Sequence, residues 1–278
     1  MRRWLKRILE AVVLLVLVGA AVVYGGSERM MHKSYTAVPA GAPLPAGDAS
    51  RGKHMAAILG CSGCHDPTLH GNVIFPDSFL VGGLAAPNLT IKRKQYDDAA
   101  LVRTIRFGIR RDGTGIWLMP SQAFYHLDDQ DIADVVAFVR SVPDDDRLQP
   151  ESGAGPVTRW NLFTGVWHLV PDIVPVGAAR LGDSPRVDDL ARGRYIATIA
   201  CGECHGLDQK GDPEGGVPNL VVAKAYDLDE FRALMHDGIG KDGRKLKGMM
   251  AGAAKWRFSA FTDDEIAVLK AYLDARAP

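Results

Sequence analysis

Cys-X-X-Cys-His occurs twice in this chain, as Cys61-Ser62-Gly63-Cys64-His65 and Cys201-Gly202-Glu203-Cys204-His205. Two thiols three positions apart reach both vinyl groups on one edge of a porphyrin. The next side chain then falls under the ring, where an imidazole nitrogen can bind iron. The pattern reads as covalent c-type haem attachment. These four cysteines are all the chain has, so none is left for a disulfide. A redox dithiol expects a strand–helix setting and has no use for the adjoining histidine. A zinc site built from two Cys-X-X-Cys halves keeps them close in sequence, whereas these lie 140 residues apart. Any fold for this chain must therefore hold a large planar group twice.

With 278 residues, the chain has room for about two domains. Its 33 basic and 33 acidic residues cancel, which argues against bulk nucleic-acid binding. Arg2, Arg3, Lys6 and Arg7 precede an apolar run from Ile8 to Tyr24 that only Glu10 interrupts. That length is at the short end for a membrane span, its uninterrupted part, Ala11 to Tyr24, is also the length of a signal-peptide core, and no convincing small-X-small cleavage site stands before Ser27. An uncleaved anchor is favoured over a cleaved signal. Either way the basic end stays in the cytoplasm, which predicts a bacterial inner membrane with the haem domains in the periplasm.

The segments after the anchor (residues 1–24) are a linker (25–47), a first domain (48–143), a connector (144–187) and a second domain (188–278). The linker holds Ala37-Val38-Pro39-Ala40-Gly41-Ala42-Pro43-Leu44-Pro45, an extended, semi-rigid composition. The domains repeat each other in order: Ala86-Pro87-Asn88-Leu89 matches Val217-Pro218-Asn219-Leu220, and the run from Phe124 to Ile132 matches that from Phe258 to Ile266. Each copy reads as three helices: 51–60, 97–107 and 128–141 in the first, 192–200, 228–236 and 262–275 in the second. Strand-like alternation is nearly absent, so the expected fold class is all-α. In the connector, the apolar, aromatic stretch from Trp160 to Pro171 is too short to span a membrane. Packing across the seam between the domains is the first expectation; contact with lipid or a partner subunit is the alternative.

Histidine alone leaves one axial position of each iron open. A thioether opposite it favours reduced iron, raises the potential and closes the metal to peroxide. Met119, in Leu118-Met119-Pro120-Ser121, is the candidate in the first copy; Met55 lies on the first helix. The second copy offers Met249 and Met250. Counting six residues from Gly243, as Met119 lies six from Gly113, favours Met249. His70 and His126 are bis-histidine alternatives in the first copy. Basic residues crowd the first copy (Lys92, Arg93, Lys94, Arg103, Arg106, Arg110, Arg111) and the matching loop of the second (Lys241, Arg244, Lys245, Lys247). They suit a solvated face with partners for haem propionates, or a docking patch for an acidic redox protein.

Taken together, the motifs and repeats resemble the class I cytochrome c family, in a membrane-anchored, duplicated-domain, dihaem form. The resemblance implies two haem c groups and two tandem cytochrome c domains behind an N-terminal transmembrane helix. It implies that Cys61, Cys64, Cys201 and Cys204 carry the thioethers and that His65 and His205 are the proximal ligands. It assigns Pro87 and Pro218 to the carbonyls that accept the proximal ring N–H, and it favours Met250 over Met249. Gly52 and Gly193, with Phe138 and Tyr272, match the crossing of first and last helices. The expected role is single-electron transfer from a respiratory dehydrogenase or quinol-oxidising complex to a soluble cytochrome or an oxidase. An integral cytochrome subunit of such a membrane complex is the alternative, and a dihaem peroxidase a weaker one. No further catalytic constellation stands out, so an electron carrier rather than an enzyme is expected.

Overall fold

The computed structural model describes residues 2–35 and 43–276. Helix α1 (Arg2–Met31) is, among the described residues, the one helix long and apolar enough to cross a membrane, and nothing covers its apolar stretch. It runs on past Tyr24, so the start of the expected linker is helical. The reason is packing: Ser27 and Met31, on its last turns, are buried. The next residues are docked rather than free. Tyr35 N donates to Gly113 O at 2.9 Å, and Lys33 Nζ and Tyr35 Oη both reach Asp172. Most of the Pro-rich stretch lies outside the described residues.

The first module opens with α2 (Ala49–Ile58), started by the Asp48 carboxylate, which accepts from Ser50 N and Arg51 N. Gly60 at φ 79° breaks it, a left-handed turn that glycine adopts without steric cost. The break sets α3 (Cys61–His65) at a new angle. Strands β1 (Asn72–Phe75) and β2 (Gly82–Ala86) form an antiparallel hairpin, and β3 (Gly153–Ala154) adds to its other edge. Short α4 (Leu89–Lys92) follows, then α5 (Asp98–Phe107), capped by Asp97 and ended by Gly108 at φ 66°. After α6 (Ser121–Phe124), α7 (Asp129–Ser141) is capped by Asp128, whose carboxylate accepts from Asp131 N. Expected helix ends hold to within about two residues in α2, α5 and α7; the small sheet was not anticipated.

The connector contributes α8 (Pro156–Phe163) and α9 (Val170–Ile173). Here the favoured expectation fails. Leu162 and Leu169 are buried with Met31, beside Met30, Trp117 and Trp167, and Val170 and Val174 pack with Tyr125. The aromatic stretch thus closes over the base of α1 and one side of the first module, not over the seam. That surface is what α1, by running on to Met31, leaves for it to cover.

In the second module α10 (Asp189–Ile196) continues through a π turn (Ala197–Cys201) into α11 (Gly202–His205). Then come α12 (Leu228–Asp237), α13 (Gly248–Trp256) and α14 (Asp263–Ala275). First and last helices cross closely in both modules. A Cβ added at Gly52 would collide with the Asp134 carbonyl and lie 2.9 Å from Phe138 Cβ; at Gly193 it would lie 2.6 Å from Tyr272 Cβ.

One apolar core runs through both modules. Ile58, Leu127 and Ile132 of the first join Ile199, Ile266 and Leu269 of the second, all almost fully buried. Each such side chain contributes about 1.5–3 kcal/mol. Polar links cross the same seam: Tyr195 Oη donates to Asp131 Oδ2 at 2.6 Å, and His54 Nε2 lies 2.8 Å from Glu265 Oε1.

Candidate haem-binding sites

The first motif occupies a one-turn helix and the second runs from the end of the π turn, at Cys201, into one, so the two cysteines of a pair project to one side and the histidine follows on the next position. His65 Nδ1 lies 3.0 Å from Pro87 O, and His205 Nδ1 lies 2.8 Å from Pro218 O. A ring N–H donated to that carbonyl fixes the tautomer and leaves Nε2 as a lone pair. Burial pushes the His65 imidazole below its ordinary range, and the hydrogen bond to Pro87 only partly offsets it. The ring is therefore neutral at pH 7, the form that binds a metal.

The thiols behave differently from those of a redox pair. Burial pushes Cys61 up to about 12 and Cys201 up to about 11; it also raises Cys64 and Cys204. Reactive dithiols need the opposite shift. Among the described residues no group of three or more His, Cys, Asp or Glu side chains converges, so the four sulfurs do not assemble into one zinc site. An imidazole hydrogen-bonded to a fixed carbonyl, next to paired, protonated thiols, is a donor set that fits covalent haem.

The methionines separate clearly. Met119 is half-buried and packs on the main core. Met249 and Met250 stand on the first turn of α13, not in a loop. Neighbours on a helix diverge by about 100°. Met250 packs on the core, while Met249 is 79 % exposed. Three of the other histidines are held by neighbours of their own. His70 Nδ1 contacts Thr68 Oγ1, His126 Nδ1 accepts from Leu181 N, and His236 donates to Phe261 O.

Sequence reasoning missed the residue at the centre. Arg257, 9 % exposed, donates through Nε to Ile58 O at 2.6 Å and pairs through Nη1 with Glu203 at 2.8 Å. Its positive charge opposes the upward shift of all four cysteines. The two haem-attachment motifs therefore face each other across one cation. The reverse contact also exists: Ala123, just after Met119, lies 3.7 Å from a Cβ placed at Gly202. In the repeat alignment Ala123 and Arg257 are equivalent, each preceding the matched phenylalanine, Phe124 or Phe258. The signal was in that alignment, where small and charged residues share one position.

Most of the basic cluster is not free. Arg93 and Lys94 pair with Asp144, Arg106 is buried and pairs with Asp129, and Arg103 and Arg110 donate to backbone carbonyls. As a docking patch the first-copy cluster shrinks to Lys92 and Arg111.

A cytochrome c family model matches residues 49–143 and 190–276. The cytochrome c subunits of alcohol dehydrogenase (quinone) from Gluconacetobacter polyoxogenes and Komagataeibacter europaeus are each 25 % identical over 268 residues. Those matches cover 82 % of this chain but only 56 % of either relative. A diheme cytochrome c-type protein of Cereibacter sphaeroides is 26 % identical over 263 residues, covering 82 % of this chain and 85 % of the relative. The helical fold and the paired motifs define a c-type cytochrome. The chain belongs to the cytochrome c family, with haem c as its cofactor, and is an electron-transfer protein rather than an enzyme in its own right.

Proposed function

We propose that the protein is a membrane-anchored dihaem cytochrome that relays single electrons between a membrane dehydrogenase or quinol-oxidising complex and a downstream cytochrome or oxidase. The observation that carries this reading is the pair of histidine–proline clamps, His65–Pro87 and His205–Pro218, each beside the two thiols of its own Cys-X-X-Cys pair. Haem c, when bound, supplies a one-electron couple at its iron. Cys61 and Cys64 would hold one group, Cys201 and Cys204 the other. Pro87 O and Pro218 O orient the imidazoles of His65 and His205 as proximal ligands. Met119 and Met250 would offer the opposing thioethers, which stabilise the reduced metal and exclude small oxidants. The inward setting of Met250 and the outward setting of Met249 support that choice.

The basic end of α1 keeps its side of the membrane, so the haem modules face the periplasm of a bacterial inner membrane. A second reading makes the chain a resident subunit of a dehydrogenase complex. It is favoured by the two relatives named as cytochrome c subunits of a quinone alcohol dehydrogenase, although this chain spans little more than half their length. Denaturing electrophoresis with haem staining and a pyridine haemochrome titration test the core of the proposal. Two covalently retained haems per chain are expected; one or none would overturn it. Retention of a dehydrogenase through detergent purification would separate the subunit from the free carrier.

A further inference from the structure

The tip of the β1–β2 hairpin and helix α8 form one exposed apolar surface. Phe79 is 86 % exposed and Trp160 55 %; Leu80, Val81 and Val157 are also open, as is Val166 in the turn that follows α8. Main-chain bonds join the two elements. Gly155 N donates to Val81 O and Val157 N to Leu80 O, both at 2.9 Å, and Thr158 Oγ1 donates to Val81 O at 2.7 Å. A soluble surface does not gather this much contiguous aromatic and aliphatic area without an occupant.

The position of α8 on α1 identifies the occupant. Arg159 lies over the Tyr24 ring at 3.9 Å and reaches Ser27 Oγ and Glu28. Phe163 packs so closely on Gly26 that a Cβ there would lie 2.5 Å from its ring. A bilayer core of about 30 Å takes about 20 helical residues at 1.5 Å each. Counted from Ile8, just past the basic cluster, that reaches Ser27. The segment of α1 that α8 grips is therefore the segment leaving the hydrocarbon. Aromatic side chains held at that level sit where Trp and Tyr partition by choice.

We infer that the hairpin tip and α8 form a second membrane contact, seated in the outer interface of the bilayer that α1 crosses. The contact fixes the first module against the lipid and so sets the height of both haems above it. It rests on the anchor reading of α1.

The four native cysteines being the whole complement, a single added cysteine can carry a nitroxide label on the full-length dihaem protein. Labels at F79C, V166C, V16C and E214C would be read in vesicles of equal parts phosphatidylethanolamine and phosphatidylglycerol. Relaxation by oxygen, which concentrates in lipid, is compared with relaxation by a water-soluble nickel chelate. The expected result is a several-fold excess of oxygen over nickel accessibility at 79 and 166, as at 16, with the reverse at 214. Should 16 be lipid-exposed while 79 and 166 match 214, the membrane contact is wrong and the anchor stands. Nickel-accessible labels at 16 as well would overturn the anchor reading with it. Labels at 79 and 166 shielded from both reagents only in native membranes, and water-exposed in pure lipid, would assign the surface to a protein partner and overturn the lipid contact. Phe79 and Val166 are exposed, so these substitutions leave the fold intact, which haem stoichiometry checks.

Discussion

The two haem modules share a cradle and differ around it. Both set a Cys-X-X-Cys-His turn against a proline carbonyl, and both cross their first and last helices at a glycine. Histidine and proline, however, stand 22 positions apart in the first module and 13 in the second. The extra length in the first is the hairpin. The second module has capping boxes on α12 and α14, where the first has single aspartate caps. At the seam, the first presents Ala123 to its neighbour's motif and the second presents Arg257. Cofactor chemistry constrains the cradle in both copies. The surroundings are where they have parted: the first has the hairpin and its bonds to α8, the second a cation set between the two Cys-X-X-Cys-His motifs.

The equivalence of the cradles is the easiest part to break. Replacing Cys61 and Cys64 with alanine is expected to leave one covalent haem per chain, and so is replacing Cys201 and Cys204. Mass spectrometry of the intact chain would read either loss. If one pair removes both haems, the modules do not mature independently.

The methionines test the same comparison at the other face of the iron. Met119→Ala and Met250→Ala should each abolish the methionine–iron absorption band of one haem. Each should lower that haem's midpoint potential by on the order of tenths of a volt. Met249→Ala should change neither. An unchanged band in Met250→Ala would exchange the two roles.

Much of this was legible before any coordinates. The Cys-X-X-Cys-His turns and the capped helices depend on local chemistry: Asp97, Asp128 and Thr262 each stand at the helix start that their side chains predict; the proline partners came only with the family resemblance. What escaped depends on tertiary context. Strand β2, Gly82-Gly83-Leu84-Ala85-Ala86, has no β-branched residue and no polar alternation; its pairing with β1 and β3 holds it extended. Helix α13 begins at Gly248 without a side-chain cap, so it read as a long loop. The aromatic connector was visible as apolar, but its target was hidden, because a helix running to Met31 was not foreseen. Arg257 carries no local mark of its role.

That arginine is the sharpest asymmetry at the seam. Arg257→Met keeps the stem and removes the charge, leaving Ile58 O and Glu203 without their donor. A loss of about 1–3 kcal/mol in stability is expected, read by denaturant unfolding. Both midpoint potentials should also fall, since a cation next to both attachment edges favours the reduced state. Ala123→Ser, at the equivalent position, should move neither potential. A fall confined to one haem would mean that the charge is not shared.

The smallest effect concerns the rim of the seam. Glu265 holds the His54 imidazole above its usual range through a hydrogen bond, against partial burial. Burial alone would raise Glu265, but His54 and Thr262 hold it below the ordinary carboxylate range. The signs fix a window. Histidine's contribution is complete below its unfolded value of about 6.5 and is lost as pH rises through its higher folded value. Glutamate's contribution is present above its unfolded value and is lost as pH falls through its lower folded one. The contact is strongest between those limits, in mildly acidic solution. Arg51, Asp131 and Arg186 line the same cleft. With both partners partly solvated, the gain is under about 1 kcal/mol. The contact's share of the unfolding free energy should therefore decline slightly from pH 6 to pH 8, and His54→Gln should remove that component from the measured slope. A slope unchanged in His54→Gln would place the titrating group elsewhere and leave this rim of the seam without a pH response.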